Sequence, residues 1–340
     1  MVSEDLKLRI LRILKESRNG VTQSVLARAL GVSKSYLSTV IRELEKQGIV
    51  YRVRLGNSYI VKLSQQPLPR EERPRRLSLG IVWSSEYLFL ASFAKMLRDR
   101  MGIELQVRVY PSALQATLAL VEGEVDAVLS PFVSQVYAYL LTRRLTIVGG
   151  GARGGAAIYA IPNAKSVVIT SSELSTMDLC RALAIRKGVV DAETTRYFHH
   201  PEEAVAMAKM RKVGYLVVWH PLMEDMERMG MKRVAMCDEF SEIEYCCTLA
   251  LSRSLDSDIM ERIARVFSES IELFKRKAHL YLDWYSAITG IDISILKRAL
   301  NVYSYEPYID LKKVMTMVKA MSVEVPDVRQ LIPDAILKTM

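Results

Sequence analysis

Two sets of side chains in this 340-residue chain have the types and spacing for recognition chemistry. The first is polar and basic and lies near the start: Thr22, Gln23, Ser33, Lys34, Ser35, Tyr36, Ser38, Thr39 and Arg42, then Arg52, Arg54 and Asn57. Hydroxyl, amide and guanidinium groups at such density can hydrogen-bond phosphate oxygens and base edges. The second set is spread over short segments of the remaining chain. Trp83-Ser84-Ser85, and Ser171-Ser172 with Ser175-Thr176, lead into helical patterns. Their hydroxyls and the helix-start amides together suit an anion or carboxylate, or the serines simply cap the helices. Ser130 precedes Pro131, itself a favourable first helical residue. Trp219-His220 ends an apolar run and offers a heteroaromatic ligand an aromatic wall and a proton donor or acceptor, or is a half-buried strand end. Arg153 is a candidate partner for an acidic ligand.

Spacing argues against other chemistries. The run GGGARGGAA, residues 149–157, stands between two strand-like segments instead of opening a helix, as a dinucleotide phosphate loop requires, and a flexible loop is expected there. His199 and His200 are adjacent, so on a strand their rings point to opposite faces and do not share one metal. Four cysteines without C-x-x-C spacing suggest neither a disulfide framework nor a zinc pattern; reduced thiols are expected, with Cys246-Cys247 in the core of a strand. No nucleophile elbow, H-E-x-x-H or paired-carboxylate pattern is present. No cofactor, metal or catalytic residue is therefore expected.

Periodicity supplies the elements that must hold the first set. Asp5 to Ser17 reads as an amphipathic helix with Leu6, Ile10, Ile13 and Leu14 inward. A second helix runs from a Thr22 cap to Gly31 with Val25, Leu26, Ala29 and Leu30 on one side; a third starts at Ser33 and buries Leu37, Val40, Ile41 and Leu44. Beyond Gly48, IVYRVRLGNSYIVKL alternates on both sides of Gly56-Asn57 as a β-hairpin. Helix, glycine turn, helix and hairpin together resemble the winged helix-turn-helix of MarR-like and Lrp-like transcription regulators, over residues 1–64. The resemblance implies that the third helix enters the major groove of double-stranded DNA and the hairpin touches its backbone. Charge agrees with it. Residues 1–76 carry 16 Lys and Arg against 7 Asp and Glu, while the other 264 residues carry 31 of each, so the whole excess of +9 lies in the first segment. A basic module on a neutral body is the footprint of a chain that meets a polyanion with that module alone. Residues 65–76, which include PLPREERPRR, read as a basic, proline-containing linker.

From Leu77 onward strand-like and helix-like segments alternate, an α/β rhythm. YPSALQATLALVEGEVDAVLSP, then SVVITSSELSTMDLCRALAIRKG, VGYLVVWHP and the closing helical segments of residues 291–340, resemble the type-2 periplasmic-binding fold of solute-binding proteins for taurine, alkylsulfonates and thiamine precursors. That resemblance implies a two-lobed α/β clamp, residues 77–340, with lobe one at 77–155 and 248–340 and lobe two at 156–247. It also implies that Trp83, Ser84, Ser85, Ser130, Arg153, Ser171, Ser172, Ser175, Thr176, Trp219 and His220 line a cleft closing on a small molecule.

The fold class expected is thus a two-lobed periplasmic-binding-like α/β domain preceded by a small winged helix. The function expected is a DNA-binding transcription regulator governed by a small-molecule effector, an anion or a heteroaromatic, and acting as a homodimer. Runner-up readings are a cytoplasmic enzyme on the same fold and a winged helix that serves only protein contacts. No apolar run of about 18 residues and no signal peptide are seen, so no membrane contact and a cytoplasmic location are expected. Scarce asparagine and plentiful charge suggest a thermophile.

Overall fold

The structure, a computed structural model, describes residues 4–17, 20–46, 49–55, 58–63, 76–321 and 334–337. Asn57, the hairpin tip and nearly all of the linker lie outside the described residues. Contacts divide the chain into two compact units, Met1–Arg73 and Pro74–Met340.

The first unit contains α1 (Glu4–Glu16), β1 (Val21–Thr22), α2 (Gln23–Leu30), α3 (Lys34–Lys46), β2 (Val50–Leu55) and β3 (Ser58–Leu63), with sheet order β1-β3-β2. Thr22 accepts a bond from the Val25 amide, and Gly31 closes α2 in the left-handed region at φ 67°. Leu6, Ile10, Leu14, Leu26, Leu30, Leu37, Val40, Ile41 and Leu44 pack a small core with Val50 and Val61. One detail differs from the sequence reading: Val25 is 52% exposed, and the inward face of α2 is Leu26, Ala27 and Leu30. Both choices share Leu26 and Leu30 at i, i+4, so a short helix with apolar residues on three sides leaves its own rotation open by one residue.

The second unit has two sheets. Lobe one is built on β4 (Arg76–Val82), β5 (Glu104–Tyr110), β6 (Ala127–Pro131), β7 (Leu145–Gly154), β13 (Cys247–Ser252) and β14 (Tyr303–Glu306), in the order β14-β7-β13-β6-β4-β5. Lobe two is built on β8 (Ala156–Ala160), β9 (Val168–Ser172), β10 (Thr194–Phe198), β11 (Tyr215–Trp219) and β12 (Lys232–Met236), in the order β10-β9-β11-β8-β12. The chain crosses between sheets at Gly154-Gly155, and again through residues 237–246. Helices α4 (Leu90–Met101), α5 (Ala113–Glu122), α6 (Phe132–Thr142) and α10 (Ser257–Lys277) belong to lobe one. Helices α7 (Thr176–Arg186), α8 (Pro201–Lys209) and α9 (Leu222–Arg228) belong to lobe two, and α11 (Leu282–Thr289), α12 (Ile293–Ala299) and α13 (Leu311–Ala320) close the described chain. Phe89, Phe93, Phe267 and Phe274 meet edge to face where α4 and α10 join.

Two expectations are corrected here. The glycine run is strand, not loop: Gly149, Gly150 and Gly151 lie within β7, paired with β13 and β14. A Cβ at these positions would stand 2.6 Å from the Phe267 ring, 2.1 Å from the Glu306 carbonyl oxygen and 2.1 Å from the Cys247 carbonyl oxygen, so the glycines let neighbours approach the backbone. The cysteines are not all reduced. Cys180 on α7 and Cys237, in the turn after β12, form a disulfide across 57 residues with Cα atoms 5.5 Å apart. Short-range spacing rules do not detect a pair that only the fold assembles.

Candidate functional site

In the first unit the candidate surface is the outer side of α3. Burial of Leu37, Val40, Ile41 and Leu44 turns Lys34, Ser35, Tyr36, Thr39 and Arg42 outward, all exposed, with Ser38 half-buried. Ser33 accepts from the Tyr36 amide at 3.2 Å as the cap of the helix, and Thr39 donates to the Ser35 carbonyl. Thr22 is spent as the cap of α2, and Gln23 is half-buried with its amide nitrogen unpartnered. On the hairpin, Arg52 is held by Glu45 at 2.6 Å and lies over the Tyr59 ring, which fixes it against the unit. Arg54 occupies β2; its side chain lies outside the described residues.

In the second unit, β4, β9 and β11 end where the lobes face each other, and their terminal loops meet. Ser85, after β4, places its hydroxyl 2.5 Å from His220 Nδ1 and 3.0 Å from the His220 carbonyl oxygen. His220 Nε2 stands 3.0 Å from Glu224 of α9, and Arg298 of α12 grips both oxygens of Glu224 at 2.8 and 2.6 Å. Trp219 donates its indole N–H to the Trp83 carbonyl, Thr176 its hydroxyl to the Cys246 carbonyl, and Ser134 its hydroxyl to the Leu174 carbonyl. The first and third of these bonds join a side chain of one lobe to backbone of the other, and the second ties α7 to the end of the second crossing, so the lobes are in contact. A groove of about 400 Å³ is lined by Trp83 and by residues of α8 and α9.

Beside this contact lies a second buried group. Glu86 is only 3% exposed, and its carboxylate accepts from the Cys247 amide at 3.1 Å and from the Cys246 thiol at 3.5 Å. Burial pushes its pKa up to about 7, against the pull of those two cysteines. Tyr87 donates to the Cys247 sulfur at 3.0 Å, Tyr285 donates to the Ser84 carbonyl at 2.5 Å, and Tyr303 donates to the His220 carbonyl. Burial raises all three phenols well above their usual range.

The cleft residues read from the sequence thus fall into two groups. Trp83, Ser84, Ser85, Thr176, Trp219 and His220 meet across the lobes. Ser130 is bonded within lobe one to Thr117 and Gln135, Ser171 to Asp178, and Ser175 caps α7 while donating to the Ser172 carbonyl. Arg153 pairs with Glu244 at 3.3 Å and donates to the Asp238 carbonyl, bracing the first crossing against the second. Glu86, Glu224, Arg298 and Tyr303 were not singled out from the sequence. Glu86 adjoins a chosen serine pair, and Glu224 stands four residues after His220 on a helix, a local signal; Arg298 and Tyr303 carry none.

The fold is a two-lobed α/β domain of periplasmic-binding type that follows a winged helix in the chain. A model of the MarR family matches residues 4–57. No curated protein matches the chain. Among solved structures, the periplasmic aliphatic sulphonate binding protein SsuA from Escherichia coli is similar at a TM-score of 0.62 and 16% identity, over 79% of this chain and 94% of that one. The alkanesulfonate-binding protein SsuA from Xanthomonas axonopodis pv. citri, bound to MOPS, is similar at 0.62 and 16%, over 78% and 99%. The periplasmic nitrate-binding protein NrtA from Synechocystis is similar at 0.57 and 11%, over 78% and 86%. At such identities the likeness establishes the periplasmic-binding-type fold. No helix among the described residues is long and apolar enough to cross a membrane.

Proposed function

We propose that this chain is a DNA-binding transcription regulator whose clamp senses a small effector and sets when the winged helix binds. The observation that carries it is the exposed polar and basic face of α3, lying after the Gly31 turn in the segment that holds all of the net charge. The MarR family match over the same residues supports it. DNA binding measured by fluorescence anisotropy on the DNA upstream of its own gene should weaken steeply with salt, as counterion release requires. Arg42→Ala and Tyr36→Ala should each cost roughly 1–3 kcal/mol in specific binding. If both variants match the unsubstituted chain, the recognition face is elsewhere.

The effector half rests on the contact between the lobes and the groove beside Trp83. The neighbours' names point to small anions, sulfonates and nitrate among them; with Trp83 and Trp219 at the closure, heteroaromatics also fit its chemistry. A set of such compounds that leaves both melting temperature and DNA affinity unmoved would overturn this half alone. We further infer a homodimer, which two-fold DNA sites require of this motif, and a cytoplasmic location. A monomeric mass on DNA sinks the first. One observation favours an enzyme instead: Ser85, His220 and Glu224 are joined hydroxyl to imidazole to carboxylate. Turnover of a bound compound, lost in Ser85→Ala, would establish that reading.

A further inference from the structure

We propose that Glu86, Cys246 and Cys247 form a binding site for one thiophilic divalent cation of the zinc class, set in lobe one where the second crossing enters β13. Their donor atoms, a carboxylate oxygen and two sulfurs, lie within 4.8 Å of one another, and all three residues are buried. The two sulfurs are 4.0 Å apart, and the Cys246 sulfur is 3.5 Å from Glu86 Oε2. At metal–sulfur and metal–oxygen distances of about 2.3 and 2.1 Å, those separations subtend roughly 120° and 105°. Both angles belong to trigonal or tetrahedral coordination. The carboxylate oxygen beside the two sulfurs suits the borderline zinc class better than the softer monovalent copper.

Adjacent residues on a flat strand point to opposite faces, so the local backbone must account for two thiols facing one carboxylate. Cys246 stands on a bend just before β13. Its amide donates to the Ala152 carbonyl, and its own carbonyl accepts from the Phe132 amide and the Thr176 hydroxyl. The bend is therefore held from three sides. An outer set of bonds orients the donors: the Cys247 amide engages Glu86 Oε1 and leaves Oε2 toward the thiols, while the Tyr87 hydroxyl engages the Cys247 sulfur.

Among the described residues, no Lys, Arg or His is paired with Glu86. A buried carboxylate without a cation is costly, and the groups around it, Tyr87, Tyr285, Tyr303 and Tyr305, bring none. The Tyr305 hydroxyl is itself buried without a partner. Binding exchanges the two thiol protons for the cation, with any proton on Glu86 leaving as well; the net charge of the ionised site is unchanged, the cation now stands against the carboxylate, and no electron moves. The site does not depend on what the winged helix binds. Its bland alternative is two core thiols beside a protonated carboxyl.

The test uses the full chain, chelator-treated and then titrated with Co²⁺ and Zn²⁺. A sulfur-to-cobalt charge-transfer absorption should saturate at one equivalent and disappear when zinc displaces cobalt. Cys246→Ser and Cys247→Ser should abolish it, and Glu86→Gln should weaken binding by at least about tenfold. On the unsubstituted chain, zinc should also slow alkylation of Cys246 and Cys247 as mapped by mass spectrometry, which decides the matter should a serine variant fail to fold. No absorption and no thiol protection, or an absorption that survives loss of both thiols in a folded variant, overturns the site.

Discussion

His220 reaches the other lobe directly through Nδ1, which meets Ser85, and indirectly through Nε2, whose partner Glu224 is gripped by Arg298, which ties its protonation to closure. Glu224 only accepts, so Nε2 carries the proton and Nδ1 takes the Ser85 hydroxyl hydrogen. Burial holds the imidazole below its ordinary 6.5, with Glu224 opposing. A folded-state value under the unfolded one means that the neutral ring's contribution is complete above pH 6.5 and is lost as pH falls through the folded value. Melting curves taken from about pH 8 down to about pH 5 should therefore decline more steeply for the unsubstituted chain than for His220→Gln; parallel curves would show that closure does not depend on this ring. At this scale the sequence was informative about residue type and poor about partnership. Ser85 and His220 could be picked for their chemistry, but they lie 135 residues apart, and only the topology brings them within bonding distance. Ser130, Ser171 and Ser175 have the same chemistry and are satisfied inside their own lobes, a difference no local pattern displays.

Among the elements, β7 departs furthest from its sequence pattern, because three consecutive glycines carry no hydropathy signal and suggest a loop. Their role is steric. Gly151→Ala would place a methyl 2.1 Å from the Cys247 carbonyl oxygen, and Gly155→Ala would place one 2.0 Å from the Tyr303 ring at a φ of +72°. Each should destabilise the second unit by roughly 1–3 kcal/mol or more, read as a fall in denaturation midpoint. A neutral result at both would mean that β7 lies further from its neighbours than described. Elements with a cap at each end were far easier to read. Thr22 and Gly31 bound α2 where the sequence places them, because an N-terminal hydroxyl and a C-terminal left-handed glycine act locally.

For the whole molecule, the disulfide is the tie that can be cut without touching the cleft. Cys180–Cys237 closes a loop across 57 residues inside lobe two. Loop-closure entropy for that length corresponds to about 4 kcal/mol, and native strain commonly lowers the measured value toward about 2 kcal/mol. Reduction, or Cys180→Ser, should lower unfolding stability by that amount; an unchanged denaturation midpoint would show that the pair contributes nothing.

The partition of charge also bears on search kinetics. Long-range attraction to a polyanion acts on the first 76 residues, while the other 264, with 31 charges of each sign, carry no net charge. Encounter rate and its decay with ionic strength should then be properties of the small unit. Under the proposed function the clamp would act on residence time, so an effector should alter how long a complex lasts far more than how fast it forms.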